Sequence, residues 1–187
     1  MSAAQEDRAG REVTLALRLP DPAATDALGA ALARTQPAAA VVHLRGDLGA
    51  GKSSLARAWL RALGVQGTIR SPTYTLVERY PLAARPDAGQ GGASPAEALH
   101  LDLYRIGDPG ELEFLGLDDV DRALWLVEWP ERGAQALPSV DLDIGLAWDG
   151  EGRAARLQAR TQAGEDWLQR LAEAVARVPE LQPQAEP

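Results

Sequence analysis

Within this 187-residue chain, Gly46-Asp47-Leu48-Gly49-Ala50-Gly51-Lys52-Ser53 has the residue types and spacing needed to hold a run of phosphates. The segment fits G-x-x-x-x-G-K-[ST], in which glycines let a loop wrap so that its amides point inward at phosphate oxygens. A helix starting at the lysine would add its positive N-terminal end. Lys52 would reach the β- and γ-phosphates, and the Ser53 hydroxyl would ligate a magnesium ion. Lys52 is also the single lysine of the chain, against 18 arginines. A compact ammonium fits against phosphates where a broad planar guanidinium fits poorly. A composition that otherwise uses arginine for positive charge therefore keeps lysine where the chemistry requires it.

Such a loop needs a carboxylate on a neighbouring strand to serve the metal and its water shell. Two segments offer one. Leu124-Trp125-Leu126-Val127-Glu128 is an apolar run ending in an acid, and Leu101-Asp102-Leu103 sets Asp102 among apolar neighbours. Ser71-Pro72-Thr73-Tyr74-Thr75 is a polar loop placed where hydroxyls could sense the γ-phosphate or its metal. His43 and His100 lie inside predicted strands without metal-ligand spacing, and are expected to pack. Trp125 and Trp129 are expected to bury apolar area, and Arg153, Arg156 and Arg160 to form a solvated face, with Arg153 near enough to Gly152 to approach a nucleotide.

The elements that must position these residues follow from periodicity. Val13–Leu19 alternates as a strand, and Ala23–Arg34 carries Leu28 and Leu32 at helical spacing. Val41–Leu44 is an apolar strand running into Gly46, and Lys52–Leu63 is a helix stopped by Gly64. Strands are expected at the end of Ser71–Tyr80, at Ala98–Tyr104 and at Trp125–Trp129, with a short acidic helix at Gly110–Leu115. Val140–Trp148 and Arg153–Arg160 flank a hairpin turn, and Glu165–Val178 is a closing amphipathic helix. This order predicts an α/β, three-layer, P-loop NTPase-like fold with a mixed, mainly parallel sheet and a C-terminal β-hairpin. One domain spans residues 12–178, with a flexible insertion at 82–96 and disordered tails at 1–11 and 179–187.

Composition narrows the function. The net charge of −8 disfavours direct binding of a phosphate backbone, so contact with RNA would need a protein partner. The chain has no cysteine, hence no disulfide and no thiolate chemistry. No apolar run is long enough to span a bilayer and the first residues lack a secretory signal, so the expected location is the cytoplasm. Asparagine is absent too, so the Asn-Lys-x-Asp guanine signature cannot be built, and adenine is favoured.

Taken together, GDLGAGKSS, SPTYTLVERY, HLDLYR, ELEFLGLDD and LVEWPERG resemble, in the same order, the TsaE (YjeE) family. That is the ATPase subunit of the bacterial machinery that makes threonylcarbamoyladenosine in tRNA. The resemblance implies that Asp47, Leu48, Gly49, Ala50, Gly51, Lys52, Ser53 and Ser54 hold the phosphates of ATP. It implies that Ser53 and Glu128 are the Mg2+ positions and that Asp102 is an essential acid near the γ-phosphate. Thr25, beside Pro22, and Gly152 would border adenine and ribose. Serine at 53 replaces the family's usual threonine and retains the ligand oxygen. The family's partners are TsaD and TsaB, tRNA is met only through that complex, and ATPase activity alone is weak. Two other classes fit a P-loop of this size: a small-molecule kinase, for which the 82–96 insertion is an arginine-poor lid, and a nucleotide-gated binding module.

Overall fold

The computed structural model describes residues 13–83, 96–117, 123–133 and 136–183. The expected tail at 1–11 and most of the 82–96 insertion lie outside them. At the base of that insertion, the Leu82 amide donates to the Ala96 carbonyl at 2.9 Å.

Among the described residues, eight strands and three α-helices follow one another as β1 (Thr14–Leu19), α1 (Pro22–Thr35), β2 (Ala40–Arg45), α2 (Lys52–Ala62), β3 (Val77–Pro81), β4 (Glu97–Asp102), β5 (Ala123–Glu128), β6 (Leu142–Asp149), β7 (Gly152–Ala159), α3 (Gln162–Val175) and β8 (Gln182–Pro183). A 3-10 turn, Pro109–Leu115, stands where a short helix is expected. The sheet order is β3-β4-β5-β2-β6-β7-β1-β8. Its centre, β4-β5-β2-β6, is parallel. Antiparallel pairs flank it, with β3 on β4 at one side and β6, β7, β1 and β8 in succession at the other.

Sequence chemistry sets the helix starts. Asp21 precedes α1, and its Oδ1 accepts from the Ala24 amide at 2.9 Å with Pro22 in the first turn. Thr161 caps α3 the same way, accepting from the Gly164 amide at 3.1 Å. The start of α2 differs: its cap is Gly51 in the left-handed region (φ 107), and no side chain takes its amides. Those amides are left for an anion.

The layers are unequal. All three α-helices share one core with one face of the sheet: Leu28 and Leu32 of α1, Leu55 and Trp59 of α2, and Trp167 and Leu171 of α3 meet Leu44, Leu126, Ile144 and Leu157. Trp59 and Trp167 meet edge to face with centroids 5.7 Å apart. On the other face, among the described residues, a smaller core lies over β4, β5 and the start of β2, where Leu99, Leu101, Trp125, Val127 and Val41 pack with Leu112 and Ile106. On β6, β7 and β1, outward-pointing Ala147, Arg156 and Arg18 are exposed.

The C-terminal segment departs from expectation. Residues 179–183, read from sequence as the start of a disordered tail, are placed: Leu181 is buried in the helix-side core, and Gln182-Pro183 pairs antiparallel with β1. One apolar side chain at the right reach anchors an otherwise polar stretch.

Candidate nucleotide site

The site lies at the C-terminal ends of β2, β4 and β5, where ligands of open parallel sheets gather. β2 delivers the chain to Gly46, whose φ is 135 and whose added Cβ would fall 2.2 Å from the Leu146 carbonyl oxygen. Only glycine fits there. Gly49 (φ 80) and Gly51 (φ 107) complete a loop that hands over directly to α2.

Lys52 reaches back across this loop. Its Nζ donates to the carbonyls of Gly46 at 2.6 Å and Asp47 at 2.9 Å, and stands 4.1 Å from the centre of the Trp129 ring. Burial holds its ammonium below the usual lysine range, opposed by the pull of Glu128, Asp102, Glu131 and Asp47. Next to it, the Ser53 hydroxyl donates to Glu128 Oε2 at 3.0 Å. The other Glu128 oxygen, Oε1, is 2.8 Å from His100 Nε2.

Asp102 and Glu128 are register partners on β4 and β5, so both carboxylates project from the same face toward the start of α2. Asp102 Oδ2 accepts from the Thr73 hydroxyl at 2.7 Å, and Oδ1 from the Tyr104 amide at 3.1 Å. Thr73 is also 2.9 Å from the Ser71 hydroxyl. The polar loop singled out in the sequence is therefore tied to one of the two candidate acids.

Leu48, Gly49, Gly51, Lys52, Ser53, Ser54, Asp102 and Glu128 line one cavity of about 260 Å³, with Thr73, Tyr104 and Trp129. Thr25 and Gly152 line a second cavity of about 630 Å³, together with Leu19 and Pro22. Gly51, Ser54 and Arg57 belong to both, so the two form one trough. Asp47 and Ala50 act through their backbones: the Asp47 carbonyl holds Lys52 and the Ala50 amide, while the Ala50 side chain is buried.

These residues suit a magnesium nucleotide. The loop at Gly46 is packed so closely on the Leu146 carbonyl that no Cβ fits there, and the donors beside Lys52 are hard oxygens from Ser53, Glu128 and Asp102. Among the described residues no three His, Cys, Asp or Glu side chains form a metal cage. Magnesium beside phosphates needs only one or two carboxylates, because water and phosphate complete its shell.

The family model described as "Threonylcarbamoyl adenosine biosynthesis protein TsaE" matches residues 19–156, from β1 to β7. The chain belongs to the TsaE family. It is 40% identical over 130 residues to the tRNA threonylcarbamoyladenosine biosynthesis protein TsaE of Haemophilus influenzae, covering 68% of this chain and 75% of that one. The protein of the same name from Synechocystis is 42% identical over 127 residues, covering 65% and 73%. Among solved structures, Bacillus subtilis YdiB superposes with a TM-score of 0.68 at 25% identity, covering 88% of this chain and 98% of that one.

Two residues of this TsaE-family chain do more than the sequence reading gave them. His100, expected only to pack, contacts Glu128; the available signal was its position two residues before Asp102, which puts both on one face of β4. Arg153, assigned to a solvated face, donates from Nε to the Ala50 carbonyl at 3.0 Å and from Nη2 to the Gly49 carbonyl at 3.2 Å. Its guanidinium also stacks 3.4 Å from the centre of the Trp148 ring. Only its place just after the hairpin turn hinted at this. No helix among the described residues is long and apolar enough to cross a membrane.

Proposed function

We propose that this TsaE-family chain is an ATP-binding and ATP-hydrolysing subunit required for threonylcarbamoylation of adenosine 37 in tRNAs reading codons that begin with A. It acts in the cytoplasm with TsaD-like and TsaB-like proteins and meets tRNA only through them. The observation that carries the ATPase reading is the convergence of Lys52, Ser53, Glu128 and Asp102 on one cavity at the start of α2. The names of the relatives support the tRNA part.

The loop amides and the first turn of α2 bind the phosphates, and Lys52 offsets charge on the β- and γ-phosphates. Ser53 and Glu128 would hold Mg2+, which when bound supplies positive charge to the same oxygens. Asp102 stands on the γ-phosphate side, tied by Thr73 to the polar loop, where it would orient the attacking water. The base enters the larger cavity between Thr25 and Gly152. Arg57 is bound to the Ser53 carbonyl and the Ser54 hydroxyl, and Arg153 to the back of the glycine loop, so neither is placed as an arginine finger. Slow turnover by the chain alone follows, with the partners ordering the loop at Thr73–Thr75.

The test is phosphate release by the purified chain, then with the two partners added, alongside recovery of those partners from native lysate with and without ATP. Stimulation that survives both Lys52→Ala and Glu128→Ala would sink the proposal.

A further inference from the structure

We infer that His100 is a positioning residue that fixes the Glu128 carboxylate so that Oε2 is presented to Ser53 and the metal. The inference rests on the assignment of Glu128 to the metal, and it adds a residue with no place in that assignment.

The geometry is that of a fork. Glu128 has one oxygen on each of two donors, Ser53 Oγ at 3.0 Å and His100 Nε2 at 2.8 Å. Both members of the His–Glu pair are withdrawn from solvent, with side-chain exposures of 0% and 3%. The terminal torsion of a glutamate is soft, so a carboxylate held at one oxygen alone would swing about that contact. A second donor on the opposite oxygen removes that freedom. His100 comes from β4, two residues before Asp102, and Asp102 is the register partner of Glu128. The imidazole therefore meets the acid from the core side, while Ser53 meets it from the start of α2.

The unused ring nitrogen argues against simple packing. His100 Nδ1 is buried with no hydrogen-bond partner. A side chain retained only to fill space at this depth would do better as leucine or phenylalanine, which leave no polar atom unsatisfied. With Nδ1 bare and an acceptor facing Nε2, the ring proton belongs on Nε2. This is the arrangement by which outer residues orient metal-binding groups, and losing such a residue weakens metal binding by about 10- to 100-fold.

The test uses the full chain and three variants. His100→Gln keeps an amide donor at similar reach, His100→Leu keeps the bulk without the donor, and Glu128→Gln removes the charge that His100 holds. In the nucleotide-free protein, 15N spectra of the His100 ring should show the proton on Nε2, with the resonance displaced in Glu128→Gln. Binding of Mn2+ with ATP, read by electron paramagnetic resonance, should weaken about tenfold in His100→Leu and recover in His100→Gln. In the Glu128→Gln background, His100→Leu should cost nothing further. His100→Asn, whose amide falls short of Glu128, replaces His100→Leu if the latter does not fold. Equal losses in His100→Gln and His100→Leu, or a full loss in the Glu128→Gln background, would overturn the inference. So would a loss in Glu128→Gln with none in His100→Leu, which would leave the metal assignment standing. Unchanged Mn2+ binding in Glu128→Gln alone would instead remove Glu128 from the metal site, and this inference with it.

Discussion

The ammonium of Lys52 lies over the face of Trp129, 4.1 Å from the ring centre, and Trp129 holds this place on left-handed backbone (φ 56, ψ 49). Bulky residues rarely occupy that region, so the chain spends backbone strain to turn the indole under the lysine directly after Glu128. Trp129→Leu should weaken ATP binding by about 3- to 10-fold through loss of the cation–π contact. Lys52→Arg should lower partner-stimulated phosphate release by about 100-fold or more, because the planar guanidinium does not fit the loop. Isothermal titration and phosphate-release assays separate the two effects.

Arg153 braces the glycine loop by holding the Gly49 and Ala50 carbonyls, which in the proposed function leaves neighbouring amides to face the phosphates. Arg153→Ala should raise the dissociation constant for ATP by about tenfold, the scale of charge-assisted hydrogen bonds, with little change in melting temperature. Trp148, 58% exposed and stacked on the guanidinium, supplies a fluorescence signal for the titration.

Gly46→Ala tests the loop itself. The new Cβ would meet the Leu146 carbonyl at 2.2 Å on backbone at φ 135, so β2 and β6 would have to part. A loss of about 3 kcal/mol or more in urea unfolding is expected, together with nucleotide binding.

Burial pushes His43 below the usual imidazole range, with Asp143 opposing and Arg45 adding to the shift. The native state therefore binds this proton less tightly than the unfolded chain does. Stability should fall as pH drops through and below the ordinary histidine value of 6.5, and the contribution should vanish well above it. Urea melts of His43→Gln between about pH 7 and pH 5 should show a flatter slope than the parent.

Leu181→Ala tests the C-terminal strand. With that side chain 3% exposed in the helix-side core, a loss of about 2–3 kcal/mol is expected in the same melts.

Much of this architecture was legible because local rules and global fold agree. The short apolar runs at Val41–Leu44 and Trp125–Trp129, and the glycine spacing of the loop, placed β2, β5 and the start of α2 within a residue or two. What escaped depended on pairing across the chain. PELQPQAEP is polar and proline-rich, and nothing local says that Leu181 will reach a core or that Gln182 will meet Arg18 of β1. An apolar stripe says that a helix is half buried, not which sheet face it covers, so the gathering of α1, α2 and α3 on one side was invisible. His100 reads as one more buried strand residue until the register of β4 on β5 is known.

That register has a mechanical consequence. Asp102 and Glu128 are neighbours in a parallel ladder, clamped between β3 and β2, so the spacing of the two acids is a rigid gauge that no surface event can adjust without sliding strands. Thr73, by contrast, reaches Asp102 from a loop outside the ladder, which the Asp102 amide also meets by donating to the Leu76 carbonyl at 3.0 Å. Any protein that tunes this site must do so by lifting or seating that loop against a fixed ruler, and its influence should register first at Thr73.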